Sequence, residues 1–579
     1  MIKMQGENEP LLIAEPVKKE NEAEEIAPPL FTSENGGLLA QYFAVGILYG
    51  GLPATIYGLF LGYLNTPGYV YATARVVTML PWSFKFGFGM LNDLFPLGGY
   101  HRKSYMSIGW TICALALLRL SNIPLPQAYW CNDGHKYDLG GKVCNAQAAT
   151  EGGRYALWLM LASCGYCIAD VAADGLTVTL AKREPIQFRG HLQTSVYLVR
   201  TMGQILALLL VGLGLNSWHY NGSFRHGLSF PSLCAIFALP AAIMIPISWF
   251  YVNEEVVSSF TDNEITIHLE NSGSKTRIEN KIIQQYPHQD TLFSQSSSKK
   301  SALSIASYGR QVFSLLRSRA FFMIVLFQFF SPLISGISTT AAGEVKQHWA
   351  KVQNLQHCLF SIIGLGLFAL GLHLVKIYFL SYSWRSMTLV TTIFLNLIDM
   401  PFTFLTVYNI IRNQYFYLGE VLIIEIPAAA NFVVSTFVIV EMAQAGSEGL
   451  VYGLLTTTAN LGSPVSQAIS NQLFGAAFHG LSDAENYIHD TPSFRNIVAL
   501  SFLLSYFFAF ASLITLPLLP HQKDHAARRL RHWPKHDSYA YITIILLLSA
   551  LLYSLTVNLL ATMPSTMCMR IAGGSGCDS

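Results

Sequence analysis

The stretch LPWSFKFGFGMLNDLFPLGGYHRKSY, residues 80–105, closes a long apolar run and then breaks into a turn of Asn, Asp, Pro, Gly, His, Arg and Lys. Lys85 sits among aromatics and glycines inside the apolar part, and Trp82 precedes it by about one helical turn. A second apolar run starts directly beyond the turn. Two bilayer spans joined by a short basic connection account for all of these features. Lys85 then does one of two things. It snorkels along its aliphatic stem to the basic face, because Asn92 and Asp93 lie about two turns away, or it faces a polar interior and meets other charges there.

The composition around this stretch agrees with that reading. Of 579 residues, 52% are hydrophobic and 12% charged, where a soluble domain carries about a quarter charged residues. Apolar runs of about 18 residues or more recur along most of the chain, each long enough to cross the hydrocarbon core as a helix. They fall near 37–63, 69–91, 104–124, 154–180, 190–215, 231–251, 319–343, 357–380, 386–407, 417–441, 449–476 and 496–520, with an extra C-terminal run at 541–561. The fold class is an all-α polytopic membrane protein. A formal net charge of +2 leaves no electrostatic footprint for nucleic acid, so no nucleic-acid partner is expected.

The chain divides into a polar tail (1–36), a six-span half (37–251), a linker (252–318), a second six-span half (319–520) and a basic segment with the extra helix (521–579). The tail carries no signal-peptide core and reads as disordered and cytosolic, and the linker is too polar to bury a core of its own. Two six-helix halves joined by a long loop is the plan of major facilitator carriers, which rock about a midplane site. Orientation follows from Arg102, Lys103, Lys182, Arg183, Arg189, Arg385, Lys523, Arg528, Arg529 and Arg531 on one face. Lys136, Lys142, Arg225, Lys346, Lys351, Arg412 and Arg495 fall on the other, so the first face is cytosolic. The opposite face collects Cys131 and Cys144, Cys568 and Cys577, and Asn221 in the sequon NGS. These are candidates for disulfides and glycosylation, with chance as the alternative for so short a sequon. The membrane is taken as the plasma membrane, with an organelle membrane left open.

Ionisable groups inside spans are costly unless they meet a partner or a cavity. In LMLASCGYCIADVAADGLTVTLA, Asp170 and Asp174 stand one turn apart, with Ser163, Tyr166 and Thr177 on the same face. Two carboxylates so close repel, which favours a proton on one of them. They are candidates for proton coupling, or else they pair with cations to fix packing. Arg200, with its planar fork of donors, and Lys85 are the candidate cations. The second half offers Asp399, Glu420 and Glu425, and a stripe of Thr456, Asn460, Ser463, Gln467 and Asn471 that either lines a cavity or glues helices. Glycines such as Gly87, Gly89, Gly364, Gly366 and Gly371 read as points of close helix approach.

The 80–105 stretch resembles the folate-biopterin transporter family of the major facilitator superfamily, through Leu80-Pro81-Trp82, Lys85, Gly89, Asp93, Pro96, Gly99, Arg102 and Tyr105. IADVAADGLTV, GSEGLVYGLLTTTANLG with Glu448, Gly449 and Asn460, and the pair Arg200 and Gly203 are similar to the same family, so the likeness covers roughly 40–520. The resemblance implies a twelve-helix carrier for folate, biopterin or a related pteridine, proton-coupled, with other metabolites such as S-adenosylmethionine associated with relatives. It also makes NDLFPLGGYHRKSY the loop between spans two and three, with Asp93 as a cap or a pair across a gate and Arg102 and Lys103 anchoring the turn. The long linker and the extra helix depart from the pattern. The expected substrate and coupling residues are Trp82, Lys85, Asp170, Asp174, Arg200, Asn460 and Glu425, with Trp82 offered as a stacking surface for a pterin ring. The expected partners are the small molecule, protons and the lipid bilayer, and neither cofactor nor metal is called for. DVAAD also fits a DxxxD membrane prenyltransferase, but no second acidic cluster accompanies it. A receptor that binds without transporting would use the same residues.

Overall fold

The computed structural model describes residues 33–131, 141–181, 191–254, 305–379, 382–442 and 448–577. Among these the backbone is helical apart from isolated bridges in the connections, as expected where no water satisfies backbone groups. The first half contains α1 (Ser33–Ile56), extended by a π-helical turn Tyr57–Tyr63, then α2 (Gly68–Met79) and α3 (Lys85–Leu94) joined through a 3₁₀ segment Leu80–Phe84. It continues with α4 (Lys103–Ser121), α5 (Gly152–Ala181), α6 (His191–Gly214) and α7 (Phe230–Phe250). In the second half, α8 (Ile305–Leu316) leads into α9 (Arg319–Ser335), and α10 (Ala342–Glu344) runs into a π-helical turn Val345–Trp349. After these come α11 (Asn354–Leu374), α12 (Trp384–Val407), α13 (Gln414–Met442), α14 (Glu448–Ala477), α15 (Ala484–His489) and α16 (Pro492–Ala511). The basic α17 (Lys523–His532) and the apolar α18 (Asp537–Thr562) follow.

A helix stands at every expected span. Ten helices among the described residues are long and apolar enough to cross a membrane. The others fall short for visible reasons. Arg319–Ser335 is short, α14 carries the polar stripe, and α2–α3 is interrupted where Pro81 removes a backbone donor. Residues 1–32 and 255–304, most of the expected tail and linker, lie outside the described residues, as do Lys136, Lys182, Arg183 and Arg189. The end of the linker is not structureless, because 305–316 form α8.

Glycines set the closest helix crossings, though not all those expected. A Cβ on Gly46 would run into the Arg200 carbonyl oxygen, and one on Gly203 into the Phe43 carbonyl oxygen, so α1 and α6 touch backbone to backbone. Gly371 makes the same close approach to α13, but Gly87 and Gly366 have nothing within 4 Å of a built Cβ. A glycine pattern does not say which side of a helix meets a neighbour.

Cys131 bonds Cys144 and Cys568 bonds Cys577. Asn221 ends the short helix Trp218–Tyr220 in the left-handed region, at φ 58°. The two halves are tied together at the disulfide-bearing end. The Tyr57 hydroxyl donates to the Val352 carbonyl at 2.6 Å, Asn354 Nδ2 to the Val211 carbonyl at 3.0 Å, and Asn471 Nδ2 to Thr73 Oγ1 at 2.7 Å. Helix α18 lies along both halves. Asn558 Nδ2 donates to the Pro464 carbonyl of α14 at 2.8 Å, and the Tyr69 hydroxyl of α2 donates to the Met567 carbonyl of the tail at 2.8 Å.

Candidate functional site

The 3₁₀ break in the second span does more than interrupt a helix. By tightening the turn at Pro81 it re-aims the chain, so that Trp82 and the first residue of α3, Lys85, point at α5 and α6. Lys85 Nζ lies 3.0 Å from Asp170 Oδ2 and 2.7 Å from Asp174 Oδ2, bridging both carboxylates. Arg200 of α6 reaches Asp170 Oδ1 at 3.5 Å. The repulsion expected between the two acids is thus offset by two cations, and Lys85 is not snorkelling. Asp170 is fully buried, whereas Asp174, one turn nearer the basic face, keeps 24% of its side chain exposed. The Tyr42 hydroxyl donates to Asp174 Oδ1 at 2.7 Å, tying α1 into the same network.

Aromatic side chains wall this cluster. Trp82 has Lys85 Nζ 4.8 Å and Arg200 Cζ 5.1 Å from its ring, packs edge-on against Tyr49 and donates from its indole nitrogen to the Tyr166 hydroxyl at 3.3 Å. Arg200 also stacks over Tyr49 at 4.6 Å. The ring offered as an open stacking surface is therefore engaged by both cations, and a ligand ring reaches it only after a cation moves.

The other expected residues sort unequally. Asn460 of α14 donates to the Trp82 carbonyl at 3.3 Å, so it joins the cluster across the two halves through backbone. Of the polar stripe, Asn460 and Asn471 bind the second span and act there as helix glue, as does the neighbouring Thr457, while Thr456 turns back to the Tyr452 carbonyl of its own helix. Glu425 packs against Gly364 of α11 and makes no hydrogen bond or ion pair with the cluster among the described residues. Its sequence position set its depth in the membrane but not which face of α13 it occupies. Asp93 pairs with Arg102 at 2.5 Å, within its own half and not across a gate. The Arg102 guanidinium packs over Gly175 of α5. Lys103 lies over the Tyr100 ring at 5.2 Å.

Glu254 and Tyr506 had no sequence signal, and other residues took places the sequence did not indicate. Glu254, just past α7, accepts from the backbone N–H groups of His101, Arg102 and Lys103 and so caps α4. Tyr506 donates to Asp399 Oδ2 at 2.5 Å, Thr403 donates to Oδ1 at 3.2 Å, and Glu420 faces the same carboxyl. Lys346, expected in a connecting loop, is folded inward by the π-helical turn. Its Nζ donates to His357 Nδ1 at 2.9 Å and sits 4.4 Å over the Tyr57 ring. Arg75, on the adjoining face of α2, lies 5.9 Å from the Tyr71 ring. Among the described residues, no grouping of three or more His, Cys, Asp or Glu side chains is placed to hold a metal ion.

Known proteins resemble the chain in two ways. The model of the BT1 family matches residues 60–129 and 147–531. Among solved structures, a D-xylose-proton symporter aligns with 84% of this chain and 98% of its own at TM-score 0.53 and 11% identity. The nucleoside transporter NupG, in a mutant form, aligns with 84% and 99% at 0.51 and 13%. The peptide transporter POT, a mutant form in complex with sulfate, aligns with 88% and 97% at 0.51 and 13%. At such identities the likeness establishes the fold alone, that of the major facilitator transporters. No curated protein matches.

Proposed function

The chain belongs to the BT1 family, the folate-biopterin transporters, and from that premise we propose that this multi-pass membrane protein carries a pteridine by proton symport with alternating access. The observation that carries the reading is the buried, charge-balanced set Lys85, Asp170, Asp174 and Arg200, wrapped by Trp82, Tyr49 and Tyr166. Two acids offset two bases, so the empty cluster is near neutral and stable in a low dielectric. A proton on Asp170 removes the one carboxylate that Arg200 pairs with, while Lys85 stays on Asp174. Arg200 then relaxes from Trp82, and an aromatic heterocycle takes its place against the ring. Proton and ring thus favour each other's binding, which is the thermodynamic content of symport. Asn460 of the second half attaches to the Trp82 carbonyl, so a shift of Trp82 is passed from one half to the other.

Within this reading folate and biopterin are the first substrates to test, S-adenosylmethionine is the alternative metabolite, and the plasma membrane is the proposed site. The test is uptake of labelled folate, biopterin and S-adenosylmethionine at several pH values by cells expressing wild type or Asp170→Asn. Uptake that rises with an inward proton gradient and loses that dependence in Asp170→Asn supports the mechanism. Gradient-independent uptake that survives the substitution removes the coupling role, and exclusion of all three compounds removes the substrate assignment.

A further inference from the structure

Lys85 and Arg200 are not the cations best placed to receive a negatively charged ligand, because each already faces a carboxylate. Arg75 and Lys346 differ. Neither has a carboxylate oxygen within 4.0 Å among the described residues, and the Arg75 guanidinium makes no hydrogen bond there either. The nearby acids are otherwise engaged: Glu344 with His348 at 3.1 Å, and Asp399 with Tyr506 and Thr403. Arg75 stands in the middle of α2, which packs against α10 and α14 of the second half, and is nonetheless exposed. Lys346 and His357 both lie against the Tyr57 ring, and Tyr57 meets Tyr71 beside Arg75, so three basic side chains from the two halves gather around one space. Tyr57 floors that space, 4.4 Å beneath Lys346 and 6.3 Å from Tyr71, which in turn lies beside Arg75.

An arginine keeps its charge even when buried, and charges inside a membrane protein without partners cost several kcal/mol. A fold retains such an expense where a ligand of opposite charge completes the site. Arg75 brings five N–H donors in a fork matched to a carboxylate, and Lys346, with one hydrogen committed to His357 Nδ1, has two more. We infer that Arg75, Lys346 and His357 form the receptor for a carboxylate of the transported molecule, on the disulfide-bearing side of the Trp82 cluster. The inference rests on the pteridine reading above and sharpens it. Arg75 precedes Trp82 by two helical turns, about 10 Å, so the favoured substrate carries its carboxylate well away from its ring. Folate, with a ring, an aromatic spacer and a dicarboxylate end, has that shape and charge. Biopterin, with a short neutral tail, reaches only the ring site, and a cation such as S-adenosylmethionine is repelled.

The test is equilibrium binding of folate and of biopterin to the purified full-length protein, as wild type, Arg75→Gln, Lys346→Gln and the exposed control Lys351→Gln. Folate affinity is expected to fall by about tenfold or more in Arg75→Gln and Lys346→Gln, with biopterin affinity and the Lys351→Gln control unchanged. Thermal stability should hold or rise in both variants, since an uncompensated charge has been removed. Equal loss of both ligands, no loss of either, or a folate loss that tracks destabilisation overturns the assignment. If wild type binds neither pteridine, the substrate reading fails. The anion site is then decided separately by stabilisation with glutarate and with inorganic phosphate. Stabilisation of wild type but not Arg75→Gln upholds it, and stabilisation of neither overturns it.

Discussion

Replacing Lys85 by glutamine tests the centre of the network most directly. The side chain bridges Asp170 at 3.0 Å and Asp174 at 2.7 Å, and Arg200 approaches only Asp170, at 3.5 Å. Lys85→Gln leaves two carboxylates one turn apart with a single cation. Removing one partner of a buried ion pair costs roughly 3–5 kcal/mol. Because Asp174 retains some exposure, the lower end applies, about 3 kcal/mol. Adding Asp174→Asn restores one acid to one base, so the double variant should lie about 1 kcal/mol below wild type, recovering about 2 kcal/mol of the loss. The assay is thermal unfolding in detergent followed by tryptophan fluorescence, alongside uptake. The single variant should lose several degrees and the double should regain more than half of them. Additive losses would refute the bridging role, and wild-type stability with intact uptake in Lys85→Gln would return Lys85 to the membrane surface as a snorkelling residue.

Other perturbations probe separate parts. Arg200→Lys keeps the charge but loses the planar fork that stacks over Tyr49 and Trp82, so pteridine affinity should fall by about tenfold at unchanged protein abundance, read by binding and immunoblot. Asp399→Asn removes the acceptor of the Tyr506 hydroxyl and one of two facing carboxyls, and it should shift the pH profile of uptake more than the affinity for substrate. In the loop before α16, burial alone would raise the Asp490 carboxyl, but hydrogen bonds from Arg495 and Arg412 hold it below its ordinary value. Its stabilising contribution is present above the unfolded carboxylate value of about 4 and is lost as pH falls through the lower folded value. Wild type should therefore lose melting temperature more steeply than Asp490→Asn on acidification below that point.

Much of the architecture was legible in the chain because membrane spans obey a one-dimensional rule. Length and apolarity alone mark a helix that crosses hydrocarbon, so most of the expected runs match helices within a few residues; the run at 319–343 ends early, at Ser335, and that at 69–91 is broken at Leu80–Phe84. The acid pair was legible for a similar reason. Spacing of four on a helix puts Asp170 and Asp174 on one face whatever surrounds them. Their cations, Lys85 and Arg200, were identifiable because a charge inside a span needs a partner, although only the packed helices bring all four within contact. Glu425 fails the same rule because partnership depends on which face of α13 meets α11.

What tertiary structure alone decided lies where the chain leaves regular geometry or where partners are distant in sequence. A 3₁₀ turn at Pro81 aims Trp82 and Lys85 at α5, and a π-helical turn carries Lys346 from an apparent loop into the space beside Arg75 and His357. Asp399 finds Tyr506 107 positions away, and Glu254 caps a helix more than 150 residues earlier. By itself the sequence determined a helical membrane protein with a buried acid pair, since those features follow from local periodicity and from the cost of charge in hydrocarbon. Which cations meet a carboxylate and which do not depends on distances between helices, and only the folded chain sets them.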